Sequence, residues 1–223
     1  MVRGNSNEKN IHLVFTGHEY ADGGAHILEV LNRENIKASF FFTGDFYRNN
    51  EFAPLISDLK KNGHYLGAHS NKHLLYNDWS ADKKLLVTET EFNEDLNLNY
   101  AEMKKFGINK SDAPYYLPPY EWNDSTITSW TKKNQLTLIN YTKGTLSHAD
   151  YTTPDDKNYK STEVIYNSIL DYEAKASLNG FLLLSHIGTH PNRTDKFYLE
   201  LEHLIKALKR NGYQFVSLNE MLD

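Results

Sequence analysis

Seven short runs of apolar and β-branched residues recur along the chain, at 11–16, 38–43, 64–68, 113–117, 136–141, 181–186 and 214–218, with amphipathic stretches between them. Strands that alternate with helices over a whole chain argue for βα units around a parallel sheet. Several runs are almost continuously apolar, such as Phe40-Phe41-Phe42 and Phe181-Leu182-Leu183-Leu184, as strands covered on both faces must be. The pattern predicts an α/β fold with a closed or nearly closed barrel.

The intervening helices show their buried stripes. Phe92, Leu96, Tyr100 and Met103 fall on one helical face that Gly107 terminates, and Phe197, Leu201, Leu204, Ile205 and Leu208 form another that stops at Asn211-Gly212. A chain of 223 residues without internal repeat or linker reads as one domain over 11–223, preceded by a polar, loosely packed leader at 1–10. Two long irregular connections, 69–88 and 143–160, each follow a strand. They therefore lie at the barrel end where active sites are built.

Composition removes several classes of function. A net charge of −5, with 24 Lys and Arg scattered along the chain, offers no basic field for a nucleic-acid backbone. No apolar run reaches the roughly 18 residues that a membrane span needs. With no cysteine there is neither disulfide nor thiolate, so a metal site must use His, Asp or Glu. Oligomeric state leaves no mark on the sequence.

Three places carry potential chemistry. His69 and His73 are spaced so that a helical turn would put both imidazoles on one face toward one ion, although such a pair also serves as a cap or sits in solvent. At the end of the first run, His18, Glu19 and Asp22 offer ligands or a base, and strand-end convergence lets His18 complete a site with His69 and His73. Asp22-Gly23-Gly24 also reads, as the lesser alternative, as a turn and N-cap. The run 181–186 ends in His186, which is either structural or a general acid or base.

Together these residues resemble the polysaccharide deacetylases of carbohydrate esterase family 4, the NodB-homology group, over about residues 11 to 222. His69-Ser70-Asn71-Lys72-His73 matches the family's His-Ser/Thr-x-x-x-His motif, and Leu183-Leu184-Ser185-His186 matches the strand that ends in the catalytic acid. Ile36 to Phe41 and Gly63 to His69 are similar to its second and third strands. Leu117-Pro118-Pro119-Tyr120-Glu121-Trp122 is similar to its Arg-x-Pro-Tyr motif, and Asp150-Tyr151 stands where the family has Asp-Trp. The resemblance implies a distorted (β/α)7 barrel holding a divalent transition metal on His18, His69 and His73. Zinc is expected first, and cobalt and nickel suit the same imidazoles. It further implies His186 as acid, Asp150 as the carboxylate that orients it, and a groove walled by Pro119, Tyr120 and Trp122, with the Tyr120 amide facing the oxyanion.

Two positions depart from the family. Gly17-His18 stands where an Asp-Asp pair supplies a base and a ligand, and Leu117 stands where an arginine orients that base. Either Asp22, favoured by its flexible glycines, or Glu19 replaces the base, or the usual reaction is lost. The expected substrate is an acetylated saccharide, acted on by an exported protein. A silent saccharide-binding protein and an amidase acting on a small non-sugar molecule are the alternatives.

Overall fold

Strand β1 (Asn10–Gly17) is buried from Ile11 onward, so it must be covered on both faces and both edges. In the computed structural model, which describes residues 1–222, it has parallel neighbours on each side. Strand β6 (Phe181–His186) pairs with it from Ile11 to Thr16, and β2 (Ser39–Phe42) pairs from Val14 to Gly17. Strand β7 (Gln214–Phe215) meets Asn10 and Ile11. Ile11 is opposite both Phe181 and Phe215, so β7 occupies the edge that β2 takes further along. Beyond β2 the sheet continues through β3 (Tyr65–Ala68), β4 (Tyr115–Tyr116) and β5 (Thr137–Leu138), giving the distorted (β/α) barrel that the apolar runs predict.

All seven expected strands form, and the outer ones are shorter than the apolar runs. Pro114, Pro118 and Pro119 cannot donate to a ladder, which confines β4 to two residues. The run at 214–218 is interrupted by Ser217, whose hydroxyl accepts from the Glu220 amide at 3.3 Å while Glu220 accepts from the Ser217 amide at 2.8 Å. This reciprocal cap starts a helix instead of prolonging the strand.

Among the described residues eight α-helices surround the sheet: α1 (Gly24–Arg33), α2 (Gly44–Arg48), α3 (Ala53–Lys61), α4 (Glu89–Lys104), α5 (Ser125–Lys133), α6 (Thr162–Ala176), α7 (Leu201–Arg210) and α8 (Leu218–Leu222). Side chains alternate across each strand. Leu13, Phe15, Phe40 and Phe42 pack outward with Ile27, Ile56, Phe92, Leu96 and Leu204 of the helices. Val14, Phe41, Leu117, Ile139, Leu182 and Leu184 fill the interior.

Strands β5 and β6 do not ladder together. Thr142 links them: its amide donates to the Leu182 carbonyl, and its hydroxyl accepts from the Leu182 amide, both at 3.0 Å. Residues 1–4 run along the same seam. The Met1 carbonyl accepts from the Asn140 amide at 2.8 Å, the Met1 amine bonds the Leu138 carbonyl, and the Gly4 amide donates to Gly180 at 2.8 Å. Arg3 donates to the Asn179 carbonyl at 2.9 Å. The segment expected to be a loose leader is thus largely exposed but tied to both sides of the seam.

Candidate active site

Parallel strands leave all their C-terminal ends at one rim. His18 follows β1, Thr43 follows β2, His69 follows β3, Tyr120 and Glu121 follow β4, and His186 closes β6. His69 and His73 do not share a helical face, since residues 69–73 form an irregular turn in which Ser70 (φ 70°) and His73 (φ 55°) are left-handed. Helix α4 holds that turn from below. Asn99 accepts from the His69 amide at 2.9 Å, and Asp95 accepts from the amides of Asn71 at 2.8 Å and Lys72 at 3.1 Å. The turn nevertheless brings the rings close: ring centroids of His69 and His73 lie 5.1 Å apart, and those of His18 and His73 lie 4.9 Å apart.

The hydrogen bonds set the state of these rings. His69 Nδ1 lies 2.8 Å from the Leu117 carbonyl, which only accepts, so Nδ1 carries the proton and Nε2 keeps its lone pair. Burial, reinforced by the neighbouring imidazoles, pushes His69 down to about 3 against the opposing Leu117 bond, and pushes His73 down to about 2. Both are neutral donors at physiological pH. His18 Nδ1 lies 3.1 Å from Thr43 Oγ1, the same oxygen that caps α2 by accepting from the Phe46 amide.

Donor chemistry and spacing suit a divalent transition metal. Two imidazoles on one tetrahedral zinc, with Zn–N bonds of roughly 2.0–2.1 Å, have ring centroids about 5 Å apart. Orientation is less complete: His18 stacks on His73 at an interplanar angle of 12°, and no group of three His, Asp or Glu among the described residues is closed around a common point. Closure requires His18 or His73, both only half-buried, to turn about its side-chain bonds.

Opposite the three histidines, His186 is clamped by Asp150. One carboxylate oxygen accepts from the His186 amide at 2.8 Å, and the other meets His186 Nδ1 at 2.6 Å. Burial alone would lower the His186 pKa, but the charge and hydrogen bond of Asp150 outweigh it and the net movement is upward. With Nδ1 engaged, Nε2 is the nitrogen left to exchange a proton.

His18, His69, His73 and His186 line a cavity of about 550 Å³ together with Trp79, Tyr120, Glu121, Tyr141, His148 and Tyr151. Both long connections contribute, the first through His69, His73 and Trp79, the second through His148 and Tyr151. The Tyr120 ring lies 4.3 Å from His73 and 5.6 Å from Trp79. Pro119 is buried behind this wall, and Trp122 lies outside the lining. The Trp122 indole donates to the Asp78 carbonyl at 3.0 Å and backs Trp79 at 5.6 Å, so it supports the groove instead of walling it.

Asp22 does not reach the histidines. Its carboxylate accepts from the Thr189 amide at 2.8 Å and the Tyr198 hydroxyl at 3.0 Å, and pairs with Lys196 at 2.8 Å. Burial pushes its pKa up, but these partners, Lys196 first, hold it below the usual range. It faces a second cavity of about 1130 Å³, also lined by Glu29, Glu51 and Asp58. Glu19, the other candidate base, is exposed on the rim that both cavities share.

Glu121, to which no motif in the sequence assigns a role, stands half-buried in the wall of the histidine cavity at φ 53°. Burial pushes its carboxyl up to about 7, with Asp150 adding to the rise and His186 opposing it. Its position directly after Pro118-Pro119-Tyr120 was the available signal.

Residues 3–139 match the sequence profile described as polysaccharide deacetylase. The peptidoglycan-N-acetylmuramic acid deacetylase PdaA of Bacillus subtilis is 25% identical over 220 residues, covering 98% of this chain and 73% of that protein. Among solved structures, the Bc1960 peptidoglycan N-acetylglucosamine deacetylase superposes with a TM-score of 0.78 at 20% identity, covering 99% of this chain and 91% of that one. BA3943 of Bacillus anthracis, a carbohydrate esterase family 4 pseudoenzyme, superposes with a TM-score of 0.77 at 17% identity, covering 100% of this chain and 68% of that one.

Proposed function

Because the chain belongs to the polysaccharide deacetylase family, we propose that it is a metal-dependent hydrolase that releases acetate from N-acetyl groups of a polysaccharide, with a peptidoglycan strand as the first substrate to test. The observation that carries this reading is the convergence of His18, His69 and His73 with the His186–Asp150 pair on one cavity.

His69 Nε2, with His18 and His73, would hold the ion, zinc first and cobalt or nickel as alternatives. When bound, such an ion polarises the acyl oxygen and lowers the pKa of water to about 7. His186 Nε2 delivers the proton that the departing nitrogen needs. Asp150 fixes the ring's tautomer and stabilises its charged form. Tyr120, Trp79, Tyr141 and Tyr151 present faces on which a sugar ring can rest, and the Tyr120 amide is the proposed donor to the developing oxyanion. A wall polymer as substrate puts the reaction outside the cytoplasm.

The test is acetate release from N-acetylated peptidoglycan and chitooligosaccharides by zinc-loaded protein, with elemental analysis of each variant. His69→Ala is expected to lose bound metal and His186→Ala to keep metal but lose about 100-fold or more in kcat. Full metal content in His69→Ala, or no acetate from metal-loaded protein, would overturn the reading.

A further inference from the structure

We propose that Glu121 is the general base of this site, acting from the end of β4. The inference rests on the deacetylase reading. Asp150 spends both oxygens on His186, Asp22 is turned into the neighbouring cavity, and Glu19 is exposed on the rim. Glu121 is left as the carboxylate within the cavity wall, and among the described residues its side chain has no hydrogen-bond or ion-pair partner.

The backbone holds it there under constraint. Tyr120 (φ 59°) and Glu121 (φ 53°) are consecutive left-handed residues, a conformation suited to glycine and unfavourable for a side chain. The turn is pinned on both sides of the Glu121 Cα: its amide donates to the Pro118 carbonyl at 3.1 Å, and its carbonyl accepts from Asn140 Nδ2 at 2.7 Å. The chain thus keeps a glutamate where the backbone favours glycine, as strained residues at functional sites do.

The groups around it suit proton transfer. His186 faces it from β6, His148, Asp150 and Tyr151 from the connection after β5, Tyr141 from the segment leading there, and Tyr120 from its own turn. His18, His69, His73 and Glu19 complete the cavity. A carboxyl lifted toward neutrality by burial is a stronger base than an exposed one and still ionises at working pH.

In the step, Glu121 takes a proton from water as the water oxygen bonds to the acyl carbon and the carbonyl π pair moves onto the acyl oxygen. Collapse of that adduct breaks the C–N bond, and the nitrogen's electron pair takes a proton from His186. Acetic acid and the free amine leave, with Glu121 protonated and His186 neutral. Transfer of that proton back to His186, directly or through solvent, restores both.

Glu121→Gln in the zinc-loaded protein tests this. The expected result is wild-type metal content, KM unchanged, kcat lower by about 100-fold or more, and loss of the limb of the kcat/KM profile near pH 7. Independently of turnover, infrared difference spectra should show a carboxyl C=O band that titrates near pH 7 in wild type and is missing from Glu121→Gln. Wild-type kcat in the variant, a change confined to KM, or a band that survives the substitution overturns the role. If Glu121→Gln stays active while His186→Ala is inactive, the role alone fails; if wild-type protein releases no acetate, the deacetylase reading fails and takes the role with it.

Discussion

The conformation of Glu121 makes a claim about stability as well as chemistry. A non-glycine residue in the left-handed region costs on the order of 1–2 kcal/mol, and Glu121 sits there at φ 53°. Glu121→Gly is therefore expected to raise folding stability by about 1 kcal/mol while removing acetate release. Urea unfolding of the two proteins measures it, and a less stable glycine variant would mean that the backbone is not strained there. The sequence displayed Glu121 after two prolines but could not reveal the sign of φ that aims it into the cavity. The spacing of His69 and His73 was legible, although a turn with two left-handed residues joins them instead of a helix. Asp22 misled because its partners Lys196 and Tyr198 come from the far end of the chain, where local reasoning about glycines does not reach.

Among the elements, α4 does more than fill the core. Its apolar stripe was plain in the sequence, and Phe92, Leu96 and Met103 are indeed fully buried. The polar residues Asp95 and Asn99 lie on that same inward face, and they are the supports of the His69–His73 turn. Polar side chains at core-facing helical positions were the readable sign, but their partners, amides of a loop, have no sequence signature. Asp95→Ala would leave the Asn71 and Lys72 amides without their acceptor. It should cost about 1–3 kcal/mol of stability and weaken zinc binding roughly 10–100-fold. Calorimetric zinc titration checks this; wild-type affinity would show that the turn keeps its shape unaided. The strands were legible as apolar runs, whereas their ends depended on Pro118 and on the cap formed by Ser217 and Glu220.

For the molecule as a whole, the buried imidazoles set the response to acid. Burial pushes His12 and His64 down to about 4, His69 to about 3 and His73 to about 2, all below the ordinary value of about 6.5. Below pH 6.5 the unfolded chain takes up protons that the folded one refuses, so the stability these groups contribute is complete above pH 6.5 and drains as pH falls toward their folded values. Each can remove up to about 1.4 kcal/mol per pH unit in that window. His186, whose pKa is raised, works in the opposite sense: its contribution is present below pH 6.5 and is lost as pH rises through its folded value. Urea unfolding of the metal-free protein at pH 7 and pH 5 should show a loss of several kcal/mol, and equal stability at both would contradict the neutral burial of these rings.

The seam between β5 and β6 has a consequence beyond the site. A sheet that does not close its ladder exposes two rows of amides and carbonyls, and such edges invite another chain to add a strand. Residues 1–4, bonded to Leu138 and Asn140 on one side and to Asn179 and Gly180 on the other, already occupy that position. Bonded on both sides, this stretch takes up hydrogen-bonding groups that an added strand would otherwise use.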